Sequence, residues 1–210
     1  MKSFYNKLRI KNILYCCLVI EMSLMLITGQ ALADKLQKSN AIIQEMITEA
    51  KKHAIASANL ETNLKSFKIE VLINKYINLN FMAKVTSGSY WKKASTNQQE
   101  RYKKALLKQI VNTVEDHLNT LSTLNYKYVD SELRGKKLVY VRGKIEDPNN
   151  VKPSVNILWK LASNTKGSFK VLDLEIEGIS LVSSHKAETM SILRKNKGNF
   201  EILLNKYKQK

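Results

Sequence analysis

The sequence predicts an α+β fold, an antiparallel twisted sheet covered by helices. Three observations carry the prediction. Between Lys136 and Leu181 apolar residues recur at every second position in three consecutive segments, the period of a pleated strand. Two clusters of turn-forming residues separate those segments, which makes them neighbouring antiparallel strands. Nearly everything before and after has helical spacing, so the order is helices, then a meander, then helices.

Residues 1–33 read as an export address. Lys2, Lys7, Arg9 and Lys11 form a basic start, Ile13 to Ile27 is mostly apolar, and Ala31-Leu32-Ala33 has the small residues at the spacing a signal peptidase needs. The apolar run, interrupted by Glu21, is shorter than the ~20 residues of a membrane span, so removal is expected and the processed chain begins at Asp34. Both cysteines, Cys16 and Cys17, lie in the address. Residues 34–210 therefore hold neither disulfides nor thiolate metal sites. They form a single expected domain, large enough to be stable by packing alone.

Charge narrows the partners. The net charge is +17, and losing Lys2, Lys7, Arg9, Lys11 and Glu21 with the address leaves +14. Such a balance favours anionic partners such as membrane surfaces. Nucleic acid is not expected. Only five of the 35 basic residues are Arg, the side chain that reads phosphates and bases bidentately, and no basic block interleaves with aromatics.

From Ser39 to Ala56, Ile43, Met46, Ile47, Ala50 and Ala54 form a helical stripe, with His53 beside it as a packed or surface residue. A second helix fits Thr62 to Tyr76, through Leu64, Phe67, Ile69, Val71, Leu72 and Tyr76. Asn80 is the expected cap of a short helix ending at Val85, and Gly88 breaks the chain before Tyr90 and Trp91. Ser95 and Gln98 have the spacing of a capping box. They open the longest helix, Thr96 to Leu121, striped by Tyr102, Leu106, Ile110, Val114, Leu118 and Leu121, with His117 next to the stripe. Its ~25 residues would span roughly 38 Å, enough to cross a whole sheet.

Leu124 to Val129 reads as an edge strand with Tyr126 and Tyr128 on one face. In the meander, Val139, Val141 and Ile145 alternate with Tyr140, Arg142 and Lys144. Val155, Ile157, Trp159 and Leu161 alternate with Asn156, Leu158 and Lys160. Leu172, Leu174 and Ile176 alternate with Val171, Asp173, Glu175 and Glu177. Asp147-Pro148-Asn149-Asn150 and Asn164-Thr165-Lys166-Gly167 supply the turns. Ser183 or Ser184 then caps a helix from His185 to about Asn196, Gly198 ends it, and Asn199 to Lys208 is a terminal helix with Phe200, Leu203 and Leu204 inward.

Catalytic signatures are sparse. Asp173, Glu175 and Glu177 share one strand face at a spacing that can hold a divalent cation, but a solvated face beside a lysine-rich strand explains them as well. No G-x-S-x-G motif is present, the processed chain lacks cysteine, and the glycines follow neither phosphate-loop nor dinucleotide patterns. On the residues alone this is an exported α+β domain whose apolar strand faces build either a filled core or a hollow.

A run of ordered motifs points further. Asp173-Leu174-Glu175-Ile176-Glu177-Gly178-Ile179-Ser180-Leu181 resembles the D-x-x-x-E-G-[VI]-S-[LM] signature of the MlaC/toluene-tolerance (Ttg2D) family of periplasmic phospholipid-binding proteins. Gly88-Ser89-Tyr90-Trp91-Lys92-Lys93-Ala94-Ser95 is similar to that family's G-x-[YF]-[WY]-[RK]-x-A-[ST] segment, followed by Gln99 and the long helix. Asp147-Pro148 opens the same hairpin, Trp159 takes the place of the aromatic after it, and Leu193, Gly198 and Leu203 have the spacing of the final helices. Phe169 stands where Trp is usual, and His185-Lys186 where a basic residue followed by Gln or Ser is commoner. The resemblance covers about residues 40–205.

The resemblance implies an NTF2-like α+β architecture of the MlaC type, with an apolar pocket between sheet and helices. It implies a non-enzymatic, monomeric carrier with no cofactor, whose cargo is a phospholipid. Its partners would be an outer-membrane lipoprotein–porin complex and an inner-membrane ABC transporter with a ring of MCE domains. The acyl chains would lie against Val155, Ile157, Trp159, Leu172, Leu174 and Ile176 from the sheet and Tyr102, Leu106 and Ile110 from the long helix. Lys152, Lys144 and Arg142 are the basic candidates for the mouth. Two chains of ~16 carbons, at ~0.8 kcal/mol per CH₂, hold above 20 kcal/mol of hydrophobic free energy, so such a lipid crosses water only inside an apolar slot. The rival readings are an exported NTF2-like enzyme using the acidic strand face and a filled-core adaptor protein.

Overall fold

The computed structural model describes residues 30–208 except 31, 57–60, 124, 150, 152 and 165–166, and not the side chains of 118–122. The expected export address at residues 1–33 thus falls almost wholly outside the described residues. Ser39–Lys210 form one compact unit. In it, residues 39–56 are helical (α1), followed by α2 (Thr62–Tyr76), α3 (Leu79–Ser87), a 3-10 turn (Gly88–Lys93) and α4 (Thr96–Thr123). Strands β1 (Asn125–Arg134), β2 (Leu138–Glu146), β3 (Val155–Ser163), β4 (Phe169–Ile176) and β5 (Ile179–Ser180) come next, then α5 (Leu181–Lys195) and α6 (Phe200–Lys208). The α+β fold with an antiparallel sheet stands as the sequence predicts.

The strands pair in chain order, each antiparallel to the next. Cross-strand rows show how period-two patterning sorts the side chains. Val139 faces Leu161 and Val171, Val141 faces Trp159 and Leu174, Gly143 faces Ile157 and Ile176, and Ile145 faces Val155. These rows make one apolar face. The opposite face carries Tyr140, Arg142, Lys144, Lys160, Asp173 and Glu175.

Two bulges break the alternation. Leu172 is the unpaired residue on β4, so Val171, and not Leu172, takes the place opposite Leu161. Leu172 is nonetheless buried. On β1 the bulge falls at Val129, and the strand runs on to Arg134, past its expected end. It carries Tyr126 and Tyr128 before the bulge, and Ser131 and Leu133 after it, onto the same apolar face.

The helices are packed chiefly on one another. One hydrophobic group joins Met82, Trp91, Tyr102, Leu106, Leu193, Phe200, Leu203 and Tyr207; a second joins Ala54, Ile69, Ile73 and Val111. No strand residue belongs to either. The capping box opens α4 as expected: the Gln98 backbone N–H donates to Ser95 Oγ at 3.2 Å, and the Ser95 backbone N–H to Gln98 Oε1 at 3.0 Å. Arg101 grips Glu201 bidentately, 2.9 Å at each contact, tying α4 to α6. Lys75 joins α2 to Glu45 and Glu49 of α1 at 2.9 and 2.7 Å.

Three local expectations change. Asn78, not Asn80, caps α3, accepting from the Phe81 N–H. Ser180, not Ser183 or Ser184, caps α5. On α2 the inward residues are Ile69, Ile73 and Tyr76, whereas Leu64, Phe67 and Val71 are exposed at 44, 61 and 50%. An apolar-rich helix offers two plausible stripes, and neighbours choose between them.

Candidate functional site

The apolar face of the sheet is where chemistry and geometry differ from an ordinary core. Val139, Val141, Ile157 and Leu161 are buried. Val155, Trp159, Leu174 and Ile176, next to one another across β3 and β4, are only half-buried. The helical layer joins the sheet mainly along β4, which is approached by α2, α3 and α5. There Ile77 bridges Val171, the Asn78 N–H donates to the Val171 carbonyl at 2.9 Å, and Lys170 Nζ donates to the Asn74 carbonyl at 2.9 Å. The sheet is therefore hinged to the helices at one side, and half-exposed apolar side chains lie on the inner wall.

Of the six expected sheet residues, Val155, Ile157, Trp159, Leu174 and Ile176 share the apolar face, and Leu172 is the bulge residue beside them. The helix residues are placed otherwise. Tyr102 and Leu106 sit inside the all-helical core, 0 and 1% exposed. The Tyr102 hydroxyl is shared with Thr86 at 2.9 Å and Thr189 at 3.0 Å, and Thr189 with Tyr207 at 2.8 Å. Phe200 and Tyr207 meet the Tyr102 ring edge to face, with centroids 6.1 and 5.4 Å away. A ring so enclosed by α3, α5 and α6 has its surface spent on helix packing. Ile110 is different: it is partly buried and borders both helical groups.

The basic candidates for the mouth also move. Arg142 and Lys144 project from the polar face, and Arg142 is held by Asp130 at 2.8 Å and Glu132 at 2.5 Å. Alternation on β2 makes this unavoidable, because Val141 and Ile145 point the other way. Lys152 lies outside the described residues.

The acidic strand face is an ion-paired support for the next element. Lys160 bridges Asp173 at 3.0 Å and Glu175 at 2.8 Å. Asp173, 7% exposed, also accepts from Ser180 Oγ at 2.7 Å and from the Val182 N–H at 3.1 Å. Ser180 Oγ in turn accepts from the Ser183 N–H at 3.0 Å. Between them Glu177 and Gly178 turn the chain with φ of 47 and 80°, a tight reversal that favours glycine. The Asp173–Leu181 motif is thus a turn-and-cap device that starts α5 from the sheet edge. Asp173→Ala should cost about 2–3 kcal/mol, the worth of hydrogen bonds to a buried charged acceptor; thermal or urea unfolding measures it, and a change under ~0.5 kcal/mol, the size of an ordinary surface substitution, would contradict the cap. The Gly88–Ser95 segment is likewise structural: Gln99 Nε2 donates to the Trp91 carbonyl at 2.9 Å and the Ala94 carbonyl at 3.2 Å, fixing the 3-10 turn to α4.

Sequence reasoning missed one polar residue on the apolar face, Ser131, and did not foresee how far Tyr126, read as a face residue of the edge strand, reaches across it. Ser131 arrives there because of the Val129 bulge, which period-two reading does not foresee. Among the described residues no group of three or more His, Cys, Asp or Glu is placed to hold a metal, and no helix is long and apolar enough to cross a membrane.

Comparison with known proteins agrees with this architecture. The chain is 26% identical over 135 residues to the intermembrane phospholipid transport system binding protein MlaC of Haemophilus influenzae, a match spanning 64% of this chain and 62% of that relative. Its fold is similar to a phospholipid-binding protein from Ralstonia solanacearum solved in complex with a phospholipid, with a TM-score of 0.70 at 16% identity, covering 80% of this chain and 94% of that one. The family model described as MlaC protein matches residues 40–209, the whole of the compact unit but for its two ends. With sheet, hinge, turn-and-cap motif and helical core all inside that match, the chain belongs to the MlaC family.

Proposed function

We propose that this protein is a periplasmic phospholipid carrier, receiving and delivering lipid between an outer-membrane lipoprotein–porin complex and an inner-membrane ABC transporter with MCE domains. The observation that carries the reading is the row Val155, Trp159, Leu174 and Ile176: half-exposed apolar side chains on the inner wall of a sheet, beside a helical layer that packs two hydrophobic groups of its own without a strand residue in either. A filled core would close such a row. Val155, Ile157, Trp159, Leu174 and Ile176 form the wall for the acyl chains, Leu172 supports it from the bulge, and Ile110 is the contribution of the long helix. Membership of the MlaC family and the relative from Haemophilus influenzae support the cargo; the export address at residues 1–33 supports the compartment.

Transfer must be close to neutral for a shuttle to unload. A wall as apolar as the bilayer interior achieves this, since the hydrophobic free energy of the tails is then similar in both places. The net positive charge favours encounter with anionic membrane and is screened beyond ~8 Å at physiological ionic strength. Organic extraction and mass spectrometry of the freshly purified processed protein should return about one diacyl phospholipid per chain. Protein that is folded yet free of lipid, and that takes none from vesicles, would sink the reading.

A further inference from the structure

Three buried polar atoms on the apolar face have no hydrogen-bond partner among the described residues: the Tyr126 hydroxyl, the Ser131 hydroxyl and the Trp159 indole N–H. They belong together. Ser131 and Trp159 stand in one cross-strand row, on either side of Val141. Tyr126 starts opposite Ile145, but its ring lies over Gly143, where an added Cβ would collide with its Cε2, Cζ and hydroxyl oxygen. The missing side chain at Gly143 is what lets the hydroxyl lie across the sheet toward the Trp159 row. Burial pushes the Tyr126 hydroxyl up to about 12, while the nearby Trp159 indole pulls the other way; the two atoms do not reach hydrogen-bond geometry.

Unpaired polar atoms of this kind are rare in proteins, and each calls for a missing partner. The indole can only donate, and both hydroxyls have a proton to give, so the complement is an acceptor. Its charge follows from the surroundings. The rows of the apolar face consist of Val, Ile, Leu, Phe, Trp, Tyr, Gly and Ser, whereas Arg142, Lys144 and Lys160 point away from it. A phosphate would lie here without a counter-charge, at a large desolvation cost, but a neutral carbonyl would not.

The geometry points to a carbonyl subsite: Tyr126, Ser131 and Trp159 hold the acyl-ester linkage of a bound glycerolipid in the middle of an otherwise apolar wall. This rests on the carrier reading and adds a preference to it, for ester-linked over ether-linked lipid. The test offers the full processed chain vesicles with equal amounts of a diacyl phosphatidylglycerol and its dialkyl ether analogue, which keeps tails and phosphate but lacks both carbonyls. Protein is then recovered and its lipid quantified by mass spectrometry. The wild type should return the diacyl lipid in about tenfold excess, the worth of one or two hydrogen bonds. Y126F/S131A/W159F, folded by circular dichroism, should bring the ratio near one. Equal recovery by the wild type, or a ratio unchanged in the folded triple variant, overturns the subsite alone. Recovery of neither lipid by the wild type overturns the carrier reading and the subsite with it. The wild-type comparison decides even if the triple variant does not fold.

Discussion

Leu174→Lys will strip the protein of lipid while leaving it folded. Leu174 is half-buried on the apolar face, in the row of Val141 and Trp159. A lysine there can lay its methylenes along the wall and lift its ammonium to solvent, so the fold should lose no more than about 1–2 kcal/mol, in the ordinary range for a substitution. An acyl chain has no such escape. It must either press hydrocarbon against a charge or give up a strip of the wall, and at ~0.8 kcal/mol per CH₂ two uncovered methylenes already cost about tenfold in occupancy. Extracted lipid should therefore fall at least tenfold with the melting temperature shifted by only a few degrees. Full loading in the folded variant would mean that hydrocarbon lies elsewhere. Ile157→Asp tests the same wall less cleanly, because Ile157 is 3% exposed and a carboxylate there has nowhere to go but out of the fold.

What could be read in advance depended on whether a side chain's direction is local. Strand faces were legible because period two is geometric: once Val141 points inward, Arg142 cannot, and that rule should also have taken Arg142 and Lys144 away from the mouth. The capping box at Ser95 and Gln98 was legible because both partners lie within one turn of chain. Bulges were not. Val129 and Leu172 each shift the alternation by one residue, and nothing in a period-two pattern marks where a strand will buckle; Ser131 joined the apolar face, and Val171 displaced Leu172 from its row, for that reason alone. The α4 stripe was found, yet a stripe says only that a helix is covered. Whether α5 and α6 or the sheet covers it is a matter of tertiary placement, and Tyr102 turns out to be bonded to residues 16 positions before it and 87 after it.

That distinction can be measured at Leu106. It is 1% exposed and packed among the buried residues of α3, α5 and α6, so Leu106→Ala leaves a hole in the helical core and should cost about 2–5 kcal/mol. For a chain of this size each kcal/mol lowers the melting temperature by ~2–4 °C, so a fall of roughly 5–15 °C is expected. Lipid recovered per folded molecule, measured well below the transition, should stay at the wild-type level. Leu174→Lys and Leu106→Ala would then fail in opposite ways, one losing cargo with its stability kept and the other losing stability with its cargo kept. Such a pair separates a wall that faces a lipid from a core that faces only protein. Should Leu106→Ala lose its lipid and hardly change its melting temperature, the long helix reaches the acyl chains after all, and the wall must be redrawn to include Tyr102 and Leu106.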